Sequence, residues 1–246
     1  MCDISADVNA MQDLLRRRNR IMIIDRKCFE NTLLRPVESW QGRTKEEVAG
    51  LLGESVGLMV GYEQHNPHHC YDLFLHSLHT VGGLSGDIPV LLRTAAFFHD
   101  IGKPAAAKCK DGKCVYYGHA AESVKLSIPI LKGLGYSCGE ADVILFWIGH
   151  HDDFTSWTLP EEPVTSPKLV ISAQNLLRRM RRVESVESVF SLNERKYLWE
   201  NLLFLSAADA KAQSDIAIWN GKVIDTKEHK MRKAERILTL IREIDL

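Results

Sequence analysis

Sequence patterns typical of helix starts and ends occur along most of this chain, whereas patterns typical of strands are confined to one short stretch. Thr44-Lys-Glu-Glu47 and Ser191-Leu-Asn-Glu194 have the form of capping boxes, in which a hydroxyl and a carboxylate each cap the other's backbone at a helix start. Apolar residues recur between these and other start and stop signals with the helical period. We therefore predict helices at about 44–60, 70–83, 88–99, 119–134, 140–151, 167–182, 191–213 and 226–244.

The exceptional stretch is 107–118, AKCKDGKCVYYG. Asp-Gly between short flanks is a strong signal for a two-residue hairpin turn, and a turn at 111–112 places Cys109 opposite Cys114. A zinc site is the alternative for these two cysteines, but no second cysteine pair with suitable spacing follows. The predicted fold is all-α, with one small β-hairpin near residues 107–117.

Composition limits the classes of function. In 246 residues, 45% are apolar and 26% are charged, which is ordinary for a globular chain, and the net charge is −1. That balance excludes the broad basic surface of a general nucleic-acid-binding protein. No apolar run is long enough to span a bilayer, and the acidic N-terminus lacks the order of a signal peptide. We therefore expect a cytoplasmic chain without membrane contact, whose six scattered cysteines remain free thiols.

The stretch FFHDIGKP at 97–104 brings an ionisable pair, His99 and Asp100, to the end of an apolar segment. The pair is either the polar end of a helix or part of a metal site. Asp209 is similar, because it follows apolar and small residues in LLFLSAADAKAQ. An unpaired carboxylate buried there would cost several kcal/mol, and a cation is one partner that removes this cost. Sites built between helices take one or two such ligands from each helix.

In chain order these residues follow the pattern H…HD…H…HH…D, formed by His76, His99-Asp100, His119, His150-His151 and Asp209. The pattern resembles the HD superfamily of metal-dependent phosphohydrolases. The segments HDIGKP, YYGHA and ADAKAQ are most similar to the HD domains of bacterial CCA-adding enzymes and their stand-alone relatives. The first sixty residues hold no glycine-serine loop with a following Asp-x-Asp pair, so a nucleotidyltransferase part is not predicted.

This resemblance implies an all-α core and one or two divalent ions per chain, of Mn, Fe, Co, Ni, Zn or Mg. Four residues match the ligands of the first metal: His76, His99, Asp100 and Asp209. Asp100 can bridge to a second ion, for which His119, His150 and His151 are the matching ligands. Lys103 matches a lysine that contacts either substrate phosphate or the aspartate, and we favour the phosphate. Asp100, Lys103 and His119 are the predicted catalytic residues.

Several alternatives stay open at the level of single residues. His79 lies one turn from His76 on the same helix face and competes for its role. His150 and His151 point about 100° apart on a helix, so we expect one of them at the site, and both only if the helix end bends. The histidines expected in the pocket wall or in loop structure, and not as ligands, are His65, His68 and His69.

The implied function is hydrolysis of phosphoesters, as monoesterase or diesterase, by water activated at the metal. The expected partner is a phosphorylated small molecule, a nucleotide or an RNA end; the alternative is a non-catalytic metal-containing domain that binds nucleotide or RNA. Residues 1–60 are predicted to form a helical extension packed on the core, 61–215 the HD core and 216–246 a C-terminal helix. The aromatic residues predicted near the pocket mouth, as candidates to stack on a base, are Tyr116, Tyr117, Phe154 and Trp157.

Overall fold

A computed structural model of the chain describes residues 24–110, 113–163, 166–182, 190–219 and 222–244. Its α-helices are α1 (Arg26–Thr32), α2 (Pro36–Trp40), α3 (Lys45–Leu52), α4 (Glu54–Gly57), α5 (Leu73–Gly83), α6 (Val90–Phe98), α7 (Lys103–Ala106), α8 (His119–Leu134), α9 (Cys138–His150), α10 (Ala173–Arg181), α11 (Leu192–Lys211) and α12 (Thr226–Glu243). The strands are β1 (Lys108–Lys110), β2 (Lys113–Val115), β3 (Ile216–Trp219) and β4 (Lys222–Asp225). The all-α prediction is confirmed.

The hairpin β1–β2 has the predicted register, with Cys109 opposite Cys114. The two sulfur atoms are joined in a disulfide, so the expectation that all thiols are free is wrong for this pair. The reason is that directly opposed residues in an antiparallel ladder have neighbouring β-carbons, which is the placement a disulfide needs. Three cysteines, Cys28, Cys70 and Cys138, are free and exposed. The predicted turn at 111–112 lies outside the described residues.

The sequence analysis missed a second hairpin, in which β3 pairs antiparallel with β4. The helix predicted at 226–244 is found at Thr226–Glu243, but the strands β3 and β4, which we grouped with this helix, are not helical. The segments IAIW and KVID carry the β-branched residues that favour strands, and this signal was overlooked because each segment is only four residues long.

The helix predicted at 167–182 with Ser166 as its cap is also wrong in its first half. Pro167–Leu169 forms a short 3₁₀ turn, and α10 begins at Ala173, where the Ser172 hydroxyl accepts a hydrogen bond from the Asn175 backbone. Backbone pairing with another segment explains the difference. Thr158 donates to the Leu169 carbonyl at 2.9 Å and accepts from the Ile171 N–H at 2.9 Å, which holds the intervening residue extended.

Helix starts elsewhere follow the predicted chemistry. The capping boxes at Thr44 and Ser191 are both formed, and a third box at Ser137 opens α9. Asp72 caps α5 by accepting from the Leu75 N–H at 2.8 Å. Because a cap satisfies backbone donors that have no partner within the helix, these residues fix where α5, α9 and α11 begin.

One hydrophobic cluster lies behind the ends of α5, α6, α9 and α11. Phe97 and Phe98 at the end of α6 are fully buried, and both pack against Phe29 of α1. Ile237 and Ile241 of α12 belong to the same cluster. The apolar end of α6 is therefore held in the hydrophobic core, and this fixes the position of His99 and Asp100, which follow it directly. None of the helices in the described ranges is long and apolar enough to cross a membrane.

Candidate metal centre

Two histidines on neighbouring helices are oriented by backbone carbonyls. His76 lies inside α5 with its Nδ1 3.3 Å from the Ala212 carbonyl oxygen, and His99 follows α6 with its Nδ1 2.8 Å from the Ala96 carbonyl oxygen. A carbonyl can only accept, so in each ring Nδ1 carries the proton. The Nε2 atoms are then lone-pair donors, which is the usual arrangement of a metal-binding histidine.

These two Nε2 atoms meet two carboxylates. Asp100 Oδ2 lies 3.5 Å from His76 Nε2 and 3.1 Å from His99 Nε2. Asp209, from α11, places its Oδ1 3.0 Å from His76 Nε2 and 3.8 Å from His99 Nε2. The structure therefore brings together all four residues that the HD resemblance assigns to a first metal.

A second group forms on the other oxygen of Asp100. Asp100 Oδ1 lies 3.1 Å from His119 Nε2 and 3.4 Å from His151 Nε2. The Nδ1 atoms of these two rings face the carbonyl oxygens of Tyr116 and Ile148, at 2.9 and 2.7 Å. Asp100 thus presents one oxygen to each of two three-residue groups whose ligand atoms lie within 4.8 Å of one another.

The unsatisfied atoms of the cluster match a divalent ion. His76 Nε2, His99 Nε2 and Asp100 Oδ1 are buried without a hydrogen bond of good geometry, although oppositely charged groups lie close by. His119 Nε2 and His151 Nε2 are 3.0 Å apart, and with both Nδ1 atoms protonated their lone pairs point at each other. Such an arrangement is costly unless a cation lies between the groups, and imidazole with carboxylate is a set that several divalent metals accept.

The carboxylates of this site stabilise positive charge on the neighbouring histidines. Burial lowers the pKa of His99, but the neighbouring Asp100 and Asp209 outweigh it and raise the pKa to about 10. Burial lowers the pKa of His119, but the hydrogen bond and charge of Asp100, together with the charge of Asp152, outweigh it and raise the pKa. Burial raises the pKa of Asp100, yet His99 and Lys103 bring it well below its usual range. A proton or a metal ion is therefore favoured there over an uncharged cluster.

Lys103 is a buried member of this network. Its Nζ lies 2.7 Å from Asp100 Oδ2, 2.8 Å from Gln64 Oε1 and 3.5 Å from His69 Nε2. An ammonium has three hydrogens, and each of them has an acceptor here. The favoured phosphate role is not supported by these contacts, which agree with the alternative contact to the aspartate. Lys103 is the first residue of α7, four residues after His99, the C-cap residue of α6, which ends at Phe98.

His150 and His79 lie away from the cluster. His150 Nδ1 is 3.0 Å from Asp153 Oδ2, and its ring packs on Phe146 and Trp199. Only His151 of the adjacent pair joins the second group, since the rotation between successive helical residues turns His150 elsewhere. The ring of His79 stacks on Tyr71 with 4.2 Å between centroids, which removes it as a rival to His76.

Asp152 is a site residue that sequence reasoning left unassigned. Its Oδ2 lies 3.3 Å from His119 Nε2, and its Oδ1 lies 4.0 Å from His151 Nε2. The side chain is 48% exposed and faces the cleft, so it is the accessible carboxylate of the second group. Its position directly after a histidine pair was the signal that could have found it.

Asp100, Asp209, His119 and His151 line a cleft of about 410 Å³, whereas His76 and His99 are fully buried and do not line it. Tyr117 is 82% exposed at its rim, whereas the other three candidate stacking residues, Tyr116, Phe154 and Trp157, are buried. His68 and His69 line the cleft wall, as expected. Gln213 and Lys230 also line the cleft, and Lys230 comes from α12.

Residues 73–187 match the HD domain family. The matched segment, just under half of the chain, is of the class that the ordered histidines and aspartates predicted, and HD domains bind divalent metal ions. The chain is 26% identical over 177 residues to the CC-adding tRNA nucleotidyltransferase of Thermus thermophilus. That match covers 69% of this chain but 40% of the relative, so the chain spans well under half of the relative's length. No solved structure matches.

Proposed function

We propose that this chain is a metal-dependent phosphohydrolase that acts on nucleotide-type or RNA-end phosphoesters. The observation that carries the proposal is the double role of Asp100, whose two oxygens each face a separate pair of histidine Nε2 atoms. Paired sites that share a carboxylate suit phosphoester hydrolysis, because attacking and leaving oxygens both need stabilisation.

The proposed ligands are His76, His99, Asp100 and Asp209 for one ion and Asp100, His119 and His151 for the other. These residues would hold divalent ions, which would supply a nucleophile near neutral pH by lowering the pKa of water and would neutralise charge on the phosphoryl oxygens. His150 is not included, because its ring lies against Trp199 outside both groups.

The protein's own groups have separate tasks in this scheme. Lys103 fixes the orientation of Asp100 through its 2.7 Å contact. The fully buried rings of Phe97 and Phe98 exclude water from behind the cluster, which strengthens its electrostatic interactions. Asp152 is exposed in the cleft beside His119 and is placed to accept a proton from water or substrate there.

The substrate class rests on size and charge. A cleft of about 410 Å³ is within the range of small-ligand pockets and suits one nucleotide. The net charge of −1 argues against long contacts along a nucleic-acid backbone, which leaves a nucleotide or an RNA terminus. The Thermus thermophilus relative is named for a reaction on tRNA, which supports an RNA end, and a cytoplasmic location fits such a substrate.

The test is an activity panel on metal-free protein to which Mn²⁺, Ni²⁺, Co²⁺ or Mg²⁺ is returned. Bis-p-nitrophenyl phosphate, p-nitrophenyl phosphate, 2′,3′-cyclic nucleotides and nucleoside 2′-phosphates distinguish diesterase from monoesterase activity. We expect turnover that depends on added metal. Absence of turnover with every substrate and metal would overturn the proposal.

A non-catalytic role in binding RNA or nucleotide is the second candidate. It is favoured by the relative's name, which describes nucleotide addition to tRNA and not hydrolysis. Saturable binding of nucleotide or RNA ends by metal-loaded protein, without turnover in the same panel, would identify this role.

A further inference from the structure

A second cavity, of about 140 Å³, lies beneath the C-terminal helix α12 and adjoins the metal cleft. Four residues line both spaces: His151, Thr155, Asp209 and Lys230. The cavity is therefore a continuation of the cleft past Asp209, and its outer wall is a helix that lies beyond the residues matched to the HD domain family.

Lys230 is the cation at the junction of the two spaces. Its Nζ donates to Gln213 Oε1, and Gln213 Nε2 in turn donates to Asp209 Oδ1 and Oδ2 at 3.2 and 3.1 Å. Within the described part of the chain this is the one hydrogen-bond acceptor that Lys230 contacts, so two of its ammonium hydrogens point to no protein acceptor. Lys103, by contrast, uses all three hydrogens within the protein.

Both polar and apolar side chains line the second cavity, and His229 and Ser206 are among the polar ones. Phe154, Leu203 and Ile237 supply apolar surface, and Lys233 is held in place by donating to the Thr155 carbonyl at 2.8 Å. A cavity of about 150 Å³ lined by apolar side chains holds one benzene molecule. The space beneath α12 thus has about the size of a single six-membered ring.

We propose that α12 completes the substrate site, with Lys230 binding phosphate oxygens and the cavity beneath the helix binding a six-membered heterocycle of the same substrate. This inference rests on the proposed function for the phosphoester nature of the ligand. It names the substrate class as pyrimidine-type nucleotides, recognised by a helix outside the family-matched segment.

Equilibrium binding to the metal-loaded full chain tests this, with inorganic phosphate, UMP and AMP as probes in titration calorimetry. Lys230→Met should weaken binding of phosphate and UMP by about tenfold or more, as expected for loss of a charged hydrogen bond. Lys227→Met is the matched control, because Lys227 lies one turn away on α12, pairs with Asp215 and lines neither space. This control should bind all probes as the wild type does.

Ala234 lines the cavity and is nearly buried, so a larger side chain there fills the space. Ala234→Leu, with Ala234→Val as a milder version if the first does not fold, should weaken UMP binding while phosphate binding stays at the wild-type value. In the wild type, UMP should bind more tightly than AMP.

Four outcomes would overturn the inference: wild-type phosphate affinity in Lys230→Met, unchanged UMP affinity in both Ala234 variants, equal loss for phosphate and UMP in those variants, or no binding of either probe by the wild type. Failure of the proposed function is a separate result. If the protein turns over substrate in the activity panel but the Lys230 and Ala234 variants bind the probes as the wild type does, only this inference fails. If the variants show the expected binding pattern but the protein shows no turnover, only the proposed hydrolysis fails.

Discussion

At the scale of single residues, Lys103 shows how a buried charge is placed to serve another residue. Its ammonium contacts Asp100 Oδ2, Gln64 Oε1 and the imidazole of His69. That imidazole is neutral, because burial and the neighbouring charge of Lys103 strongly lower its pKa. Because these acceptors use every hydrogen, the lysine can hold the Asp100 carboxylate in one orientation. Orientation of a ligand by an outer group is commonly worth a factor of about ten to a hundred in metal affinity.

Lys103→Gln should therefore weaken metal binding by about tenfold, and activity should fall with the loss of metal. The measurement is a competition titration with a chromophoric chelator, and Lys125→Gln serves as the control because Lys125 is an exposed partner of Glu122. Tighter metal binding in Lys103→Gln would show that charge repulsion outweighs positioning. Unchanged metal affinity with weakened phosphate binding would instead restore the phosphate role.

The assembly of the histidines and aspartates into one cluster could be predicted from the sequence, because it depends only on the types of these residues and their order along the chain. The choice between His150 and His151 could not, since it depends on the rotational phase of the last turn of α9 against the other helices. The contacts of Lys103 could not be predicted either, because Gln64 and His69 lie in a loop whose sequence shows no helical or strand periodicity.

At the scale of elements, the site depends on close contact between the turn after α6 and the start of α8. Gly102 lies in this turn, and a β-carbon at its position would overlap backbone atoms of His119, Glu122 and Ser123. The Gly102 N–H also donates to Ser123 Oγ at 2.9 Å. A glycine is therefore required for His119 to approach Asp100.

Gly102→Ala should lower the free energy of unfolding by about 1–3 kcal/mol, the usual cost of overpacking, and should also reduce metal content because His119 is displaced. Denaturant titration and metal analysis check the two effects. Gly139→Ala is the control, since Gly139 lies in α9 with no atom near an added β-carbon, and alanine there should be neutral or stabilising. A Gly102→Ala variant with wild-type stability would contradict the close-contact explanation.

Elements with explicit end signals were predictable, and elements defined by distant pairing were not. The caps at Thr44 and Ser191 lie within a few residues of the helices that they start. The extended segment before α10 forms because Thr158 pairs with it. The sequence at 166–172 contains no local pattern that predicts this contact.

At the scale of the whole molecule, helices precede and follow residues 73–187, the segment matched to the HD domain family. Arg26 of α1 joins Glu140 of α9 through two contacts, at 2.9 and 2.7 Å, and its guanidinium lies 4.2 Å from the centre of the Tyr136 ring. Hydrogen bonds from Arg26, and next from Ser137, lower the pKa of Glu140 to about 2. We propose that this pair fastens the N-terminal extension to the core.

Arg26→Met should lower the free energy of unfolding by about 1 kcal/mol at neutral pH, since both side chains are partly exposed. A depressed carboxyl pKa contributes stability above its ordinary value of 4.5, and that stability is lost as the pH falls through about 2. The difference between variant and wild type should therefore shrink in acid. Urea titrations at several pH values measure it, with the exposed Arg35→Met as control, and a pH-independent difference would contradict the ion-pair explanation.

The central claim is that Asp100 bridges two metal sites in an HD domain, and counting metal per chain tests it most directly. Mass-spectrometric metal analysis of desalted, Mn²⁺-reconstituted protein should give two ions for the wild type and for His79→Ala, one for His119→Ala and none for Asp100→Ala, following the two ligand groups. Circular dichroism should show that each variant stays folded. Unchanged metal content in folded Asp100→Ala would contradict the claim.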